Sequence, residues 1–233
     1  DASVRMDDYT FSADESKLLL MTNQTSIYRH SFTADYFIFD RGGKDLARPL
    51  SSAELGQQRL AVFSPSGNQV AFVRENNVFI ADGQTEIQVT EDGAINSIIN
   101  GATDWVYEEE FGEDNGLFWA PDGNRLAYYR FDESAVREFS MPVYGDLYPA
   151  PYTFKYPKAG EVNSDVSIHV YDLASDKSRQ VNLPDVEYIP RIQWTHTASA
   201  LAVLTMNRHQ NDLGILLADC SAKSMTIPTT EGY

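Results

Sequence analysis

The stretch LFWAPDGNRLAYYRF (117–131) decides the fold, because it joins two apolar runs through a short turn. Its central APDG (120–123) suits a tight hairpin, since proline presets φ and glycine accepts a positive φ. The same order of an aromatic residue, a small residue, a turn and an apolar run recurs at 9–23, 61–75 and 192–206. The aromatic anchors are 52, 56 and 75 residues apart; they are Phe11, Phe63, Trp119 and Trp194. The chain therefore contains a repeated hairpin unit.

Further strand-like runs follow each hairpin unit. They are 34–40 and 45–51, 77–82 and 86–91, 166–173 and 178–184, and 213–220 and 224–230. Four short strands in a repeat of about 40–50 residues are typical of a β-propeller blade. A β-sandwich would explain the alternating strands but not a turn at nearly constant spacing. We therefore predict an all-β fold, a partial β-propeller of about four four-stranded blades, at approximately 9–51, 60–91, 116–184 and 191–230.

Two segments fall outside the repeat. The first, 133–165, is an insertion in the third unit that is rich in Pro, Gly and Tyr, and we expect a long functional loop there. Its aromatic residues indicate that it packs against something; they are Phe139, Tyr144, Tyr148, Tyr152, Phe154 and Tyr156. The second, TDWVYEEEFGED (103–114), predicts a short helix on one face of the propeller, capped by Thr103 or Asp104.

Composition excludes several classes of function. The 233 residues carry a formal net charge of −16, which argues against binding to nucleic acid or to an anionic membrane. A hydrophobic content of 42% and an aromatic content of 12% are ordinary for a folded globular chain. No run approaches the ~20 apolar residues that span a bilayer. The first residues lack a signal-peptide pattern, so we expect that any such segment is removed or lies outside this sequence.

The chain carries few residues that suggest catalysis. It contains no G-x-S-x-G nucleophile motif and no glycine-rich phosphate loop. The histidines lack metal-site spacing; they are His30, His169, His196 and His209. We expect His169 to be a cross-strand neighbour and Cys220, the single cysteine, to be a small buried residue. We therefore predict no catalytic residue, no metal site and no cofactor in this chain.

The acidic run 108–110 is the strongest chemical feature. It is either a solvated acidic face of the helix or a carboxylate pair that holds a cation such as a ligand ammonium. An ammonium donates three hydrogen bonds, so two carboxylates can share it. The flanking aromatic residues would reduce the solvent around such a pair; they are Trp105, Tyr107 and Phe111.

Arg29 is the second candidate site residue. It lies in IYRHSFTADYFIFD (27–40), just before the third predicted strand of the first repeat. It is either an exposed loop arginine or an anchor for a carbonyl or carboxylate group, which its guanidinium suits. Local sequence leaves both interpretations open.

Three segments together resemble the dipeptidyl peptidase IV family, the propeller-bearing branch of the prolyl oligopeptidase clan. They are YRHSFTADYFIFD (28–40), DWVYEEEF (104–111) and YPKAGEVNSDVSIHVYDL (156–173). The resemblance implies that residues 1–233 are the N-terminal part of an eight-bladed propeller domain, followed by an α/β-hydrolase domain outside this chain. It implies a serine exopeptidase that releases N-terminal Xaa-Pro or Xaa-Ala dipeptides.

The resemblance also assigns roles to individual residues. It implies that Glu109 and Glu110 hold the free α-amino group of a peptide substrate and that Arg29 contacts a substrate backbone carbonyl. It further implies that the insertion 133–165 is an arm used in homodimer contacts. Because the hydrolase triad lies outside it, we expect this chain to be inactive alone. The location implied is the periplasm or cell envelope.

Two alternatives from other functional classes stay open. Inactive members of this family exist, so the chain could belong to a non-catalytic propeller scaffold for protein–protein interaction. It could also be a free-standing module that binds peptides or amines. A serine, aspartate and histidine triad further along the parent chain would favour the exopeptidase.

Overall fold

The computed structural model describes residues 5–43 and 46–221. The first sheet has four antiparallel strands in chain order: β1 (Asp8–Phe11), β2 (Lys17–Ser26), β3 (Phe32–Asp40) and β4 (Arg48–Pro49). After a 3-10 turn at Ala53–Leu55, the second sheet repeats this order with β5 (Arg59–Phe63), β6 (Val70–Arg74), β7 (Asn77–Ala81) and β8 (Glu86–Gln88).

The third sheet is interrupted by the helix and by the insertion. The chain forms β9 (Ile98–Asn100), helix α1 (Trp105–Phe111), β10 (Leu117–Trp119) and β11 (Arg125–Asp132). It then leaves the sheet for the hairpin of β12 (Glu138–Val143) and β13 (Ala150–Lys155), and returns through β14 (Asp165–Asp172) and β15 (Lys177–Gln180). The sheet order is β10-β11-β14-β15, and β9 pairs with β11.

The fourth sheet has three described strands in chain order: β16 (Tyr188–Trp194), β17 (Ala200–Met206) and β18 (Leu213–Asp219). The predicted strand at 224–230 lies outside the described residues. Each successive sheet is an antiparallel meander of neighbouring strands, which is the arrangement of propeller blades. The predicted all-β fold and partial β-propeller are confirmed.

The turns of the repeated hairpins have the geometry that their sequence predicts. Gly67 and Gly123 have φ of 67° and 71°, which glycine adopts without strain. Their N–H groups donate to the carbonyl oxygens of Ser64 at 2.9 Å and of Ala120 at 2.8 Å. The tight turns predicted from proline and glycine are therefore confirmed.

The second sheet is buried on both faces because a sheet packs on either side of it. In β6, Val70 and Phe72 join an apolar cluster shared with the first sheet. Ala71 and Val73, which alternate with them, join a second cluster that extends into the third and fourth sheets. Side chains of a strand alternate between faces, so an unbroken apolar run is what a strand between two sheets requires.

Tryptophan side chains tie neighbouring sheets together at equivalent positions of the repeat. The indole N–H of Trp119 in β10 donates to the carbonyl of Val62 in β5 at 3.2 Å. The indole N–H of Trp194 in β16 donates in the same way to the carbonyl of Phe118 in β10 at 2.9 Å. Two of the four aromatic anchors of the repeat therefore also join one blade to the next.

The insertion 133–165 differs from the expected long loop. It forms the β12–β13 hairpin, with Phe139 opposite Phe154 and Met141 opposite Tyr152. The expectation of a loop was wrong because the prolines and glycines concealed a period-two alternation of apolar residues. The predicted packing of its aromatic side chains is confirmed for Phe154, which is buried and whose ring centre lies 5.8 Å from that of Tyr28, but not for Tyr144 and Tyr148, which are largely exposed. Within the described residues, no helix has the length and apolar character needed to cross a bilayer.

Candidate functional site

Helix α1 is capped at both ends. At its N-terminus, Asp104 Oδ1 accepts a hydrogen bond from the backbone N–H of Tyr107 at 2.9 Å, and Oδ2 accepts one from the Ser164 hydroxyl at 2.7 Å. Asp104, rather than Thr103, is therefore the cap, and its burial raises the pKa of its carboxyl group. At the C-terminus, Gly112 adopts the left-handed conformation and donates to the carbonyl of Tyr107. The predicted short helix is confirmed.

Two glycines close the base of the segment that carries the helix. The N–H of Gly116 donates to the carbonyl of Gly101 at 3.1 Å. A Cβ atom at Gly116 would lie 2.6 Å from the carbonyl carbon of Gly101, so only glycine fits there. Gly101 itself has a φ of +75°. The helix therefore emerges from the sheet on a narrow, fixed base.

The aromatic residues around the acidic run anchor the helix in the core. The Tyr107 hydroxyl accepts a hydrogen bond from the backbone N–H of Ile189 at 2.8 Å, and its ring packs edge-on against Phe131 at 4.7 Å. The Trp105 ring lies 4.4 Å from that of Tyr156, which follows the insertion. These contacts fix the orientation of the helix and hence the direction in which each glutamate points.

Arg29 and Glu109 meet although 80 residues separate them. The Arg29 Nε donates to both carboxylate oxygens of Glu109, at 2.9 and 3.2 Å. The Arg29 side chain is 70% exposed and that of Glu109 is 16% exposed. The structure thus brings together two of the three residues that the sequence singled out.

Glu110 differs from Glu109 because its side chain is exposed. Among the described residues it has no hydrogen-bond or ion-pair partner. It borders a cavity of about 490 Å³ whose other walls include aromatic and cationic side chains, among them Trp105, Phe111, Tyr156, Lys158, Tyr188 and Arg208. Glu110 is therefore a free carboxylate at the rim of an open cavity.

Glu108 has contacts that the sequence did not indicate. Its side chain is fully buried, and Oε1 accepts hydrogen bonds from the backbone N–H groups of His30 at 2.7 Å and Ser31 at 2.9 Å. Its Oε2 lies 3.9 Å from Nη2 of Arg59. The interpretation of the run as a solvated face is wrong for Glu108, because this side of α1 packs against the turn that carries Arg29.

Arg59 supports Glu108 from the start of β5. The guanidinium is buried, and this burial lowers the pKa of Arg59 while the neighbouring Glu108 charge opposes the shift. Its Nη2 also donates to the carbonyl of Thr103 at 3.5 Å. No local motif signals this partnership, since Arg59 and Glu108 belong to different elements that only the fold brings together.

The remaining candidates have structural roles. His169 lies opposite Tyr128 and Gln180 in the third sheet, as predicted, and burial lowers its pKa to about 4. Cys220 is buried, as predicted, and burial raises the pKa of its thiol to about 11. Across the described part of the chain, no group of three or more histidine, cysteine or acidic side chains is placed to hold a metal ion.

The fold and the site together define a class of protein: a partial β-propeller that presents an acidic helix next to an arginine-bearing turn. Residues 12–233 match the family described as "Dipeptidyl peptidase IV (DPP IV) N-terminal region". The chain belongs to this family.

Individual relatives support this assignment. The chain is 35% identical to "Probable dipeptidyl peptidase 4" of Aspergillus fumigatus, over 96% of this chain and 31% of that protein. It is 32% identical to dipeptidyl aminopeptidase B of Saccharomyces cerevisiae, over 98% of this chain and 29% of that protein. The crystal structure of Porphyromonas gingivalis dipeptidyl peptidase 4 matches with a TM-score of 0.89 and 47% identity, over 96% of this chain and 32% of that one. The chain thus spans about a third of the length of such relatives.

Proposed function

We propose that this chain is the substrate-recognition part of a longer serine exopeptidase that releases N-terminal Xaa-Pro or Xaa-Ala dipeptides. In this proposal Glu109 and Glu110 bind the α-amino group of the peptide. The observation that carries it is the presentation of Glu109 beside Arg29, and of a free Glu110, on one short helix with fixed ends. Family membership supports the peptidase context.

The two carboxylates suit an ammonium group because they differ. Glu109 shares its charge with Arg29, whereas Glu110 has no partner in the described part of the chain. An ammonium donates three hydrogen bonds and can therefore donate to both carboxylates at once. Adjacent unscreened carboxylates repel each other, and a bound cation removes that repulsion. A peptide with a blocked N-terminus offers no such charge.

Arg29 is suited to a second contact with the substrate. Only its Nε is used by Glu109, and its terminal nitrogens have no partner among the described residues. A guanidinium presents donors in a fixed plane, so the unused ones can reach a substrate carbonyl. We assign to Arg29 the binding of a backbone carbonyl next to the anchored N-terminus.

The anchored N-terminus would set the length of the product. The distance from the glutamates to a serine nucleophile in the longer protein then fixes a cut after two residues, which is catalysis by positioning. We assign the nucleophile, base and oxyanion hole to an α/β-hydrolase domain of the longer protein. Residues 1–233 alone are expected to be inactive.

The β12–β13 hairpin is proposed as an arm for homodimer contacts. Its tip exposes large apolar side chains, with Tyr144 at 79%, Leu147 at 90% and Tyr148 at 81% exposure. Exposed apolar surface of this kind is typical of protein–protein contacts. The periplasmic or envelope location stays a prediction that rests on the family resemblance.

Removal of either glutamate tests the proposed function. In the full-length protein, Glu109→Ala and Glu110→Ala should each lower kcat/KM for an Xaa-Pro p-nitroanilide by about 10–100-fold, because each removes a charge-assisted hydrogen bond. Steady-state kinetics with the purified variants measures this. The matched control is Glu91→Ala, which removes an exposed acid in the segment that follows β8 and should leave kcat/KM unchanged. Parental kcat/KM in both glutamate variants would refute the proposal.

A further inference from the structure

The turn that carries Arg29 is held by a residue of the acidic helix other than its proposed amine ligands. We propose that Glu108 is a positioning residue, which clamps this turn to helix α1 so that Arg29 reaches Glu109. The inference rests on the proposed function, because it concerns how the same site is assembled. It divides the acidic run between two tasks, because Glu109 and Glu110 bind the amine and Glu108 positions the turn.

The clamp consists of two backbone hydrogen bonds. Within the turn, the N–H of Ile27 donates to the carbonyl of Ser31 at 2.8 Å, and this closes the turn. The N–H groups of His30 and Ser31 then point away from the turn, and both donate to Glu108 Oε1. A carboxylate that accepts two backbone N–H groups fixes the position and orientation of that backbone. Arg29 immediately precedes these two residues.

Arg59 lies beside Glu108 inside the core. The guanidinium and the carboxylate lie 3.9 Å apart, and both side chains are buried. Glu108 Oε2 and Arg59 Nε have no hydrogen-bond partner. The pair is thus held by charge and by its surroundings, and loss of either member would leave the other as an uncompensated buried charge. A structure keeps such a pair only where its geometry serves a purpose or other contacts compensate for it.

The arm hairpin also contacts this turn. The Tyr28 ring lies 5.8 Å from that of Phe154, and the Tyr152 hydroxyl donates to the carbonyl of Ile27 at 3.4 Å. The Arg29 turn therefore contacts both α1 and the arm. Glu108 supplies the helix side of this contact, and the aromatic residues of β13 supply the other.

A double-mutant cycle distinguishes a clamp from general support of the fold. In the full-length protein, Glu108→Ala and Arg29→Ala should each lower kcat/KM for a free-amine Xaa-Pro p-nitroanilide by about 10–100-fold, because misplacing a binding group by about an ångström has that effect. The kcat/KM of the double variant should be no more than about threefold below that of the more impaired single variant, since Glu108 acts through Arg29. The inference would be overturned if the fold-losses in kcat/KM of the two single variants multiplied in the double variant. Parental kcat/KM in Glu108→Ala would also overturn it.

Conservative and control variants complete the test. Glu108→Gln retains an oxygen that can accept both N–H groups, so it should keep kcat/KM within about threefold of the parent while lowering Tm through loss of the Arg59 charge partner. A folded Glu108→Gln variant as impaired as Arg29→Ala would overturn the clamp. The control is Glu86→Ala, which removes the partner of buried Arg74 in the second sheet and should lower Tm without changing kcat/KM.

The outcome for the proposed function can be separated from that for the clamp. If Arg29→Ala and Glu109→Ala both reduce kcat/KM but Glu108→Ala does not, the clamp fails and the proposed function stands. If Arg29→Ala and Glu109→Ala leave kcat/KM at the parental value, the proposed function fails and the clamp fails with it.

Discussion

At the scale of the residue, Glu133 is a buried acid with an unusual titration. Burial raises the pKa of its carboxyl group from the ordinary 4.5 to about 7, and the neighbouring Asp104 charge adds to the shift. Lys155 and Arg59 oppose it. Glu133 lies where β11 ends and the insertion begins.

This pKa predicts a pH-dependent stability. Because the folded state binds the Glu133 proton more tightly than the unfolded state, the stabilisation is full below pH 4.5 and is lost as the pH rises through about 7. Glu133→Gln in the full-length protein should therefore raise Tm relative to the parent at pH 8 and have little effect at pH 5. Between pH 5 and pH 8, the effect of this substitution on the free energy of unfolding should change by roughly 3 kcal/mol. Equal Tm differences at both pH values would contradict this account.

The sequence predicted which residues belong to the candidate site, but it did not predict which contacts their side chains make. Glu109, Glu110 and Arg29 follow from the family resemblance of two short segments. That Arg29 pairs with Glu109, and that Glu108 points inwards, depends on contacts between elements 80 residues apart. Successive side chains of a helix point about 100° apart, so one acidic run necessarily faces several environments.

At the scale of the element, the repeated hairpins were predictable and the arm was not. Pro-Ser-Gly and Pro-Asp-Gly turns determine their own conformation locally, so Gly67 and Gly123 adopt the positive φ that the sequence requires. The arm has weaker local signals, because β12 and β13 contain Pro142 and Pro151 opposite each other. Its strands form through ring contacts with the Arg29 turn and with Tyr156, which lie outside the hairpin.

Substitutions at the tip of the arm should change the oligomeric state. Leu147→Glu combined with Tyr148→Glu places charges on the exposed apolar tip and should convert a homodimer of the full-length protein to a monomer, since buried unpaired charges oppose association. Light scattering coupled to size-exclusion chromatography measures the mass. Leu46→Glu is the matched control, because Leu46 is 92% exposed and lies between β3 and β4, at the other end of β3 from the turn that the arm contacts; it should leave the mass unchanged. A dimer that persists in the double variant would contradict the assignment.

At the scale of the whole molecule, the fold follows from repetition. Successive sheets bury apolar side chains against each other, and the indole groups of Trp119 and Trp194 link them at the same repeat position. A sequence with one such unit would be ambiguous, whereas four units in series specify a propeller. Helix α1 lies outside the sheets. The close approach of Gly101 and Gly116 at the base of its segment holds the acidic run in one place.

The most direct measurement compares a free-amine substrate with its blocked counterpart. For the full-length protein, we predict that N-acetylation of an Xaa-Pro p-nitroanilide lowers kcat/KM by at least about 10³-fold, because a site built for an ammonium leaves its carboxylates unpaired with a neutral amide. Glu110→Gln should reduce the ratio of kcat/KM between the free-amine and the acetylated substrate, because it lowers kcat/KM only for the free-amine substrate. Equal kcat/KM for the two substrates, with the parental ratio kept in Glu110→Gln, would contradict the assignment of these glutamates as the N-terminus anchor.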